Sequence, residues 1–236
     1  MPARRSAGWQ SLYAANFQSN TVSVCAVNSD GTLSGCMSTG TGFSGPMSVT
    51  FNPSGTLAYI TNNNETGPTV CSVDLDGSLS ACAPGFSGIP GTAGIVFLTG
   101  GQQAYMAAST TANLYLCTVA ADGTFSGCTD TGINTIYAFT AAINGGDLYL
   151  NAENGLSGSG ATICAIGSAG SLSGCQQTAV GAPSDNILFG NGVAYLATDA
   201  DPSGLFPCTV NQDGTLSGCT SQTDPAISSP WGMAIH

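Results

Sequence analysis

Five copies of Cys-x10-Cys run along this chain, at Cys25/Cys36, Cys71/Cys82, Cys117/Cys128, Cys164/Cys175 and Cys208/Cys219, and together they use all 10 cysteines. Successive pairs begin 46, 46, 47 and 44 residues apart. The chain is therefore five copies of one supersecondary unit, and only a repeat architecture satisfies that constraint. Each pair is centred on a turn: the midpoints fall at Asp30-Gly31, Asp76-Gly77, Asp122-Gly123, Ala169-Gly170 and Asp213-Gly214. Asp-Gly is a strong hairpin signal because both residues tolerate positive φ. The two cysteines of a unit are thus expected to face each other directly across the third and fourth strands, within the Cα separation that a disulfide spans. Zinc is the competing use of paired cysteines, but it wants shorter spacings and histidine partners, and the single histidine is His236.

Within the second repeat, residues 46–51, 57–61, 69–73 and 79–82 read as four short β-branched or aromatic strands, separated by Asn-Pro-Ser-Gly, Asn-Asn-Asn-Glu and Asp-Gly. No stretch has a helical period of useful length. Four-stranded antiparallel units repeating at this interval are propeller blades. The expected fold is all-β: a five-bladed β-propeller of four-stranded antiparallel blades, spanning 11–236 as one domain after an N-terminal tail, 1–10. The last residues, Pro230 to Ile235, align with the first strand of a blade (Pro46 to Phe51), and Ser11 to Asn16 aligns with a second strand (Leu57 to Asn62). The C-terminal strand is expected to complete the first blade and close the ring. A second periodic series, Tyr13, Tyr59, Tyr105, Tyr149 and Tyr195, falls in the second strand of each repeat. These rings are expected to pack between neighbouring sheets, each hydroxyl reaching a backbone partner.

Composition then bounds function. Both cationic residues, Arg4 and Arg5, precede residue 6, so the rest of the chain carries 13 carboxylates against no fixed positive charge. Nucleic acid and anionic membranes, which are bound mainly through Lys and Arg, are excluded as partners. Paired cysteines place the chain in an oxidising compartment, secreted or at a cell surface. Met1 to Gln10 is too short and polar for a signal peptide, and no apolar run reaches the length of a membrane span.

Asn52-Pro-Ser-Gly-Thr-Leu-Ala-Tyr-Ile-Thr-Asn62 resembles the Pro-Asp-Gly…Tyr-Val-Thr-Asn repeat of the lactonase-like and surface-layer β-propellers, and Ser229-Pro-Trp-Gly-Met-Ala-Ile235 resembles their Pro-x-Gly-Val-Ala strand. The cysteine-paired hairpins resemble an exported subgroup of that family. The resemblance implies the fold and a choice between sugar-lactone hydrolases and cell-surface proteins. Lactonases of this type are usually seven-bladed and use His, Arg and Glu in a central funnel. Here no residue matches that set, so none is carried over as catalytic.

A site is expected where the repeats stop agreeing, on the loops at the strand ends opposite the Asp-Gly turns. Asn62, Asn64, Glu65, Glu153, Asp199 and Asp201 lie in these loops. Carboxylates and amides of this kind can serve Ca²⁺, with Glu153, Asp199 and Asp201 as the candidate ligands. The same four acids, Glu65, Glu153, Asp199 and Asp201, could supply the two carboxylates that glycoside hydrolysis needs, though nothing in the sequence selects which two. Phe43 and Phe86 recur in position and are expected to fill core. Trp231 stands where other blades carry Met47 and Ser184, which makes it the candidate ligand contact, with sugar stacking as its chemistry. The function expected from this set is a secreted, disulfide-stabilised binding or surface-interaction module for neutral glycans or another cell-surface component. The alternatives are a lactone or glycoside hydrolase and a self-assembling structural protein.

Overall fold

The computed structural model describes residues 10–27, 33–134, 140–152, 160–179, 186–190, 192–198 and 204–221. Five antiparallel sheets follow one another along the chain. The first contains β1 (Gln10–Asn16), β2 (Thr21–Val27) and β3 (Leu33–Thr39); the second, β4 (Pro46–Phe51), β5 (Leu57–Asn62), β6 (Thr69–Val73) and β7 (Leu79–Pro84). The third holds β8 (Thr92–Phe97), β9 (Gln103–Ala108), β10 (Asn113–Val119) and β11 (Phe125–Asn134). The fourth holds β12 (Ala141–Asn144), β13 (Asp147–Ala152), β14 (Gly160–Ile166) and β15 (Leu172–Ala179), and the fifth β16 (Asn186–Gly190), β17 (Val193–Thr198), β18 (Gly204–Val210) and β19 (Leu216–Ser217). Within every sheet the strands keep sequence order, so each is an up-and-down meander. These are the blades of a five-bladed β-propeller, as the repeat predicts. The strand expected at 230–235 lies outside the described residues.

The chain divides into two compact units, Met1–Ala104 with Cys117–Cys128, and Tyr105–Leu116 with Thr129–His236. In the first, Val22, Phe43, Ala58, Ile60, Cys71 and Leu79 form a core between the first two sheets. In the second, Tyr149, Ala161, Ile163, Ile187, Leu196, Phe206 and Leu216 do the same between the fourth and fifth. Strand sequences such as Leu-Ala-Tyr-Ile-Thr suit these positions because β-branched and aromatic side chains pack well on a pleated surface covered from both sides.

All five predicted disulfides form within their own hairpins: Cys25–Cys36, Cys71–Cys82, Cys117–Cys128, Cys164–Cys175 and Cys208–Cys219, Cα to Cα 4.0 to 4.1 Å. Their setting corrects the expectation of two directly opposed strand residues. The first cysteine of each pair is buried, whereas Cys36 and Cys175 are exposed and Cys82, Cys128 and Cys219 are half-buried. Outermost strands are covered on fewer sides, which leaves the second sulfur nearer to water. Cys36, Cys82 and Cys175 also fall where the ladder shifts register, between Val24 and Ala26, Val70 and Ser72, and Ile163 and Ala165 of the facing strands. Cys219 is not on a strand at all, since β19 ends at Ser217; the disulfide and a bond from the Thr220 N–H to Pro207 O at 3.3 Å tie this segment to β18.

The turn explains the shift, because it differs from the two-residue Asp-Gly loop that the symmetry suggests. In the second blade the Asp74 N–H donates to Ser78 O at 2.9 Å and the Gly77 N–H to Asp74 O at 2.8 Å, which closes a three-residue loop, Leu75-Asp76-Gly77. A three-residue loop alone would put Cys71 and Cys82 out of register. A bulge at Ala81 (φ 47°), between the pairs Val70↔Ala83 and Ser72↔Ser80, brings them back together. Gly35, Gly127, Gly174 and Gly218, each just before its cysteine, occupy the same place at φ 56–60°. The odd loop and the extra residue together keep the even spacing of Cys-x10-Cys. Asp76 contributes differently from the expectation too: its Oδ1 accepts from the Ser78 N–H and hydroxyl at 2.9 and 2.6 Å, an Asx turn that Asp122 repeats with Thr124 and Asp213 with Thr215.

The tyrosine series joins blades. Tyr13 Oη donates to Gly77 O at 2.6 Å, Tyr105 to Gly170 O at 2.7 Å and Tyr149 to Gly214 O at 2.8 Å, each spanning 64 or 65 residues to the turn glycine of a later hairpin. The rings also meet phenylalanines: Tyr13 against Phe51 at 4.9 Å, Tyr59 against Phe97 and Phe125 at 4.9 and 5.3 Å, and Tyr149 against Phe189 at 4.6 Å. Tyr59 stands over Gly123 in the same manner, but its buried hydroxyl has no hydrogen-bond partner among the described residues. A Cβ on Gly123 would lie 2.5 Å from Leu57 Cδ1 and 2.9 Å from Tyr59 Oη, and its φ is +86°. Glycine is required there twice over, for backbone angle and for clearance.

Candidate functional site

In the first unit the loops opposite the Asp-Gly turns are laced together by backbone and amide groups. Asn20, held at φ 56°, accepts the Gly45 N–H on its Oδ1 at 2.6 Å. Gly45 O accepts the Asn63 N–H at 2.9 Å, and Ser44 O accepts the Asn64 N–H at 3.3 Å. Further along, Glu65 O accepts the Gly91 N–H at 3.0 Å, and Thr66 O accepts those of Gly88 and Ile89. Three successive loops, residues 16–21, 40–45 and 62–69, therefore form one fixed surface.

Asn62 serves this scaffold. It is 1% exposed; its Oδ1 accepts the Ser44 N–H at 3.1 Å and its Nδ2 donates to Ile60 O and Thr69 Oγ1 at 3.2 and 3.0 Å. Its polar atoms are occupied within the chain, so it holds the loop rather than meeting a ligand. Asn16, at the same repeat position, bonds Thr21 and Ser23 in a comparable way. Asn64 and Glu65, by contrast, are exposed. Glu153, Asp199, Asp201 and Trp231 lie outside the described residues. Among the described residues no group of three His, Cys, Asp or Glu is placed to hold a metal ion. Phe43 is buried in the first unit's core as expected, and Phe86 is half-buried.

One residue that the sequence reading passed over belongs to this surface. Phe17, at the tip of the first of these loops, is 47% exposed. It is the single aromatic residue in the five second-to-third-strand loops. That singularity is the signal that could have found it.

Shifted ionisation lies elsewhere. Burial pushes Tyr59 and Tyr105 up to about 12, with the Asp122 charge adding to the effect on Tyr59. Burial also raises Tyr149, helped by the charge of Asp147. Asp122 and Asp213 are held below the usual carboxylate range by the hydroxyls and N–H groups of Thr124 and Thr215. Every one of these groups belongs to the turn end and its tyrosine joints. Perturbation here marks structure, not a catalytic acid or base.

No protein-family model and no curated protein matches the sequence. Solved structures do match. A protein assigned as a 6-phosphogluconolactonase from Bacteroides uniformis superposes at TM-score 0.68 with 18% identity, over 96% of this chain and 71% of that one. A second protein with that assignment, from Bacteroides fragilis, gives 0.67 and 17%, over 96% and 70%. The periplasmic gluconolactonase PpgL of Pseudomonas aeruginosa gives 0.62 and 16%, over 94% and 68%. At this level of identity the likeness shows the fold alone, a β-propeller.

Proposed function

We propose that the protein is an exported, disulfide-stapled propeller whose loop face binds a neutral sugar or sugar lactone. One observation carries this reading. From residue 6 to residue 235 the chain has no Lys, Arg or His, while the described loop face presents amides, hydroxyls and an aromatic ring. A phosphorylated lactone, the substrate named for two of the structural neighbours, is recognised through cations. A neutral ring needs only an apolar face and a few placed polar groups. Five disulfides fit an oxidising compartment, and one structural neighbour is periplasmic.

The neighbours' names favour one second reading, hydrolysis of a sugar lactone. It would rest on Glu65, Glu153, Asp199 or Asp201 as general base, with Ca²⁺ as the activator of the carbonyl. Two measurements separate the readings. Calorimetry with a panel of neutral oligosaccharides tests binding, and hydrolysis of D-glucono-1,5-lactone, with calcium and with chelator, tests catalysis. Binding without turnover supports the module; calcium-dependent turnover supports the hydrolase. Neither, across the panel, overturns the proposal.

A further inference from the structure

We infer that Asn144 is a self-modifying site: its carboxamide closes on the Gly145 nitrogen, and the acid that results unlatches a joint between the fourth and fifth sheets. Asparagine followed by glycine is open to this reaction because glycine has no side chain to shield its amide nitrogen. Attack of that nitrogen on Asn144 Cγ forms a five-membered succinimide and expels ammonia. Water then opens the ring at one carbonyl or the other, leaving aspartate or isoaspartate. No oxidant, reductant or enzyme is needed.

The structure separates this pair from its relatives in the chain. Among the described residues an Asp or Asn precedes Gly four times, at Asp76-Gly77, Asp122-Gly123, Asn144-Gly145 and Asp213-Gly214. At the three aspartate turns the nitrogen is engaged: the N–H groups of Gly77, Gly123 and Gly214 donate to Asp74 O, Ala120 O and Asn211 O at 2.8, 2.9 and 3.0 Å. Each of those carboxylates is also turned onto Ser78, Thr124 or Thr215. Asn144 closes a different turn. It pairs with Asp147 at the end of β12 and β13, so Gly145 and Gly146 alone make the loop. Both glycines are exposed, and a Cβ built on either would meet nothing within 4 Å. The Gly145 N–H makes no hydrogen bond with the described residues, which leaves the nucleophile uncommitted.

The amide is also part of a joint. Tyr149 Oη donates to Gly214 O at 2.8 Å, and the Asn144 side chain hydrogen-bonds the same hydroxyl. Because the phenol proton is committed to Gly214, the phenol oxygen accepts from the Asn144 amide N–H, a donor that a carboxylate lacks. The new acid would also face Asp147, its direct cross-strand partner, whose carboxylate stands over Gly214, with the charge of Asp213 acting on the same phenol. Like charges directly opposite each other destabilise a sheet. Isoaspartate does more, since it lengthens the main chain by one atom at the end of β12. Deamidation therefore sets a third carboxylate against Tyr149 and loosens the fitting between the fourth and fifth sheets, on a clock the chain itself carries.

The test ages the full, oxidised chain in mildly alkaline buffer and maps it by mass spectrometry after pepsin, since trypsin has no site beyond Arg5. Asn144 should gain the mass of amide-to-acid conversion, and an isoaspartyl methyltransferase should label the isoaspartate, while Asp76, Asp122 and Asp213 stay unlabelled. Asn144→Gln, which would need a less favourable six-membered ring, should abolish conversion at this position. Asn144→Asp, one of the products, should lower the thermal midpoint by about 2 to 4 °C. Asp147→Asn in that background should recover part of the loss, which a merely crowded turn would not do. Retention of the Asn144 amide in the aged folded chain overturns the site; the reduced, urea-unfolded chain run in parallel tells whether fold or sequence protects it. Conversion with an unchanged thermal midpoint, in the aged protein and in Asn144→Asp alike, overturns the latch.

Discussion

The two ends of the blades follow opposite rules. At the Asp-Gly end the same parts recur: a disulfide and a positive-φ residue before its second cysteine in all five repeats, a three-residue loop in the second to fifth, and in three of those a turn glycine whose carbonyl accepts from a tyrosine of an earlier blade. At the loop end, the first three connections already differ, from Asn16-Phe-Gln-Ser-Asn20 to Asn62-Asn-Asn-Glu-Thr-Gly67 to Ser109-Thr-Thr-Ala112. The turn-end joints repeat one fitting, whereas the loop-end joints, such as Asn20 to Gly45, are particular to their blade. Substitutions should accordingly affect stability at one end and binding at the other.

The largest effect should come from a staple. Replacing Cys117 and Cys128 together by alanine opens a loop of sequence separation 11 and should remove about 3 kcal/mol in the chain-entropy account. For a chain of this size that is a fall of roughly 10 °C in the thermal midpoint, with oligosaccharide binding unchanged. Lost binding in a still-folded variant would break the division between the ends.

Next comes Gly123→Ala, which forces a Cβ against Leu57 and Tyr59 at positive φ and should cost about 2 to 3 kcal/mol by denaturant titration. Gly132→Ala is the control: its φ is +75° but the space is open, so about 1 kcal/mol should be lost. Equal costs at the two sites would show that backbone angle alone, not the tyrosine's approach, demands glycine at Gly123.

The tyrosine joints sharpen the comparison within the turn end. Tyr105→Phe removes the bond to Gly170 O and should cost about 1 kcal/mol, whereas Tyr59→Phe, whose hydroxyl lacks a partner, should be neutral or slightly stabilising. Alkali reads the same groups. Well below the ordinary phenol pKa of about 10, the tyrosines are protonated in folded and unfolded chains alike. From there to about 12 the unfolded phenols ionise while Tyr59 and Tyr105 keep their protons, so stability falls as pH rises and this contribution is gone above about 12. With no lysine in the chain, few other groups confuse that window. Equilibrium unfolding from about pH 9 to about pH 12 should show a slope that Tyr105→Phe reduces; an unchanged slope would mean the folded phenols titrate like free ones.

The smallest effect is at the one turn that lacks its aspartate. Ala169 adopts φ 54°, a region where alanine is strained and aspartate is better tolerated. Ala169→Asp should stabilise by several tenths of a kcal/mol in the same titration.

Strand positions, disulfide partners and the tyrosine series were legible because each repeats, and a repeated coincidence in sequence is a position in space. The bulge was written there as well, in the Ser-Gly-Cys that ends at Cys36, Cys128, Cys175 and Cys219 and in the Ser-Ala-Cys of the second repeat. Midpoint symmetry hid it: an odd loop plus one extra residue counts like an even loop. The loop end was less legible for a physical reason. Asn62 and Asn64 have the same side chain two residues apart, yet one is buried with every polar atom bonded and the other faces water. Sequence gives the chemistry of an amide, whereas exposure depends on loops brought in from Asn20 and Gly45. Phe17 shows the same limit, for an apolar ring in a turn reads as core until its neighbours are placed.

The tyrosine-to-glycine joint bears on how such a chain can change its length. The fourth repeat makes both halves of the joint, a donor on its second strand, Tyr149, for a hairpin further on and an acceptor at its turn, Gly170, for a tyrosine further back. A tandem copy of that repeat would arrive with both halves of the fitting and find a match on either side. Blade number can then change by gene duplication while the tyrosine joint is kept, and the loops of the spare copy are left to diverge.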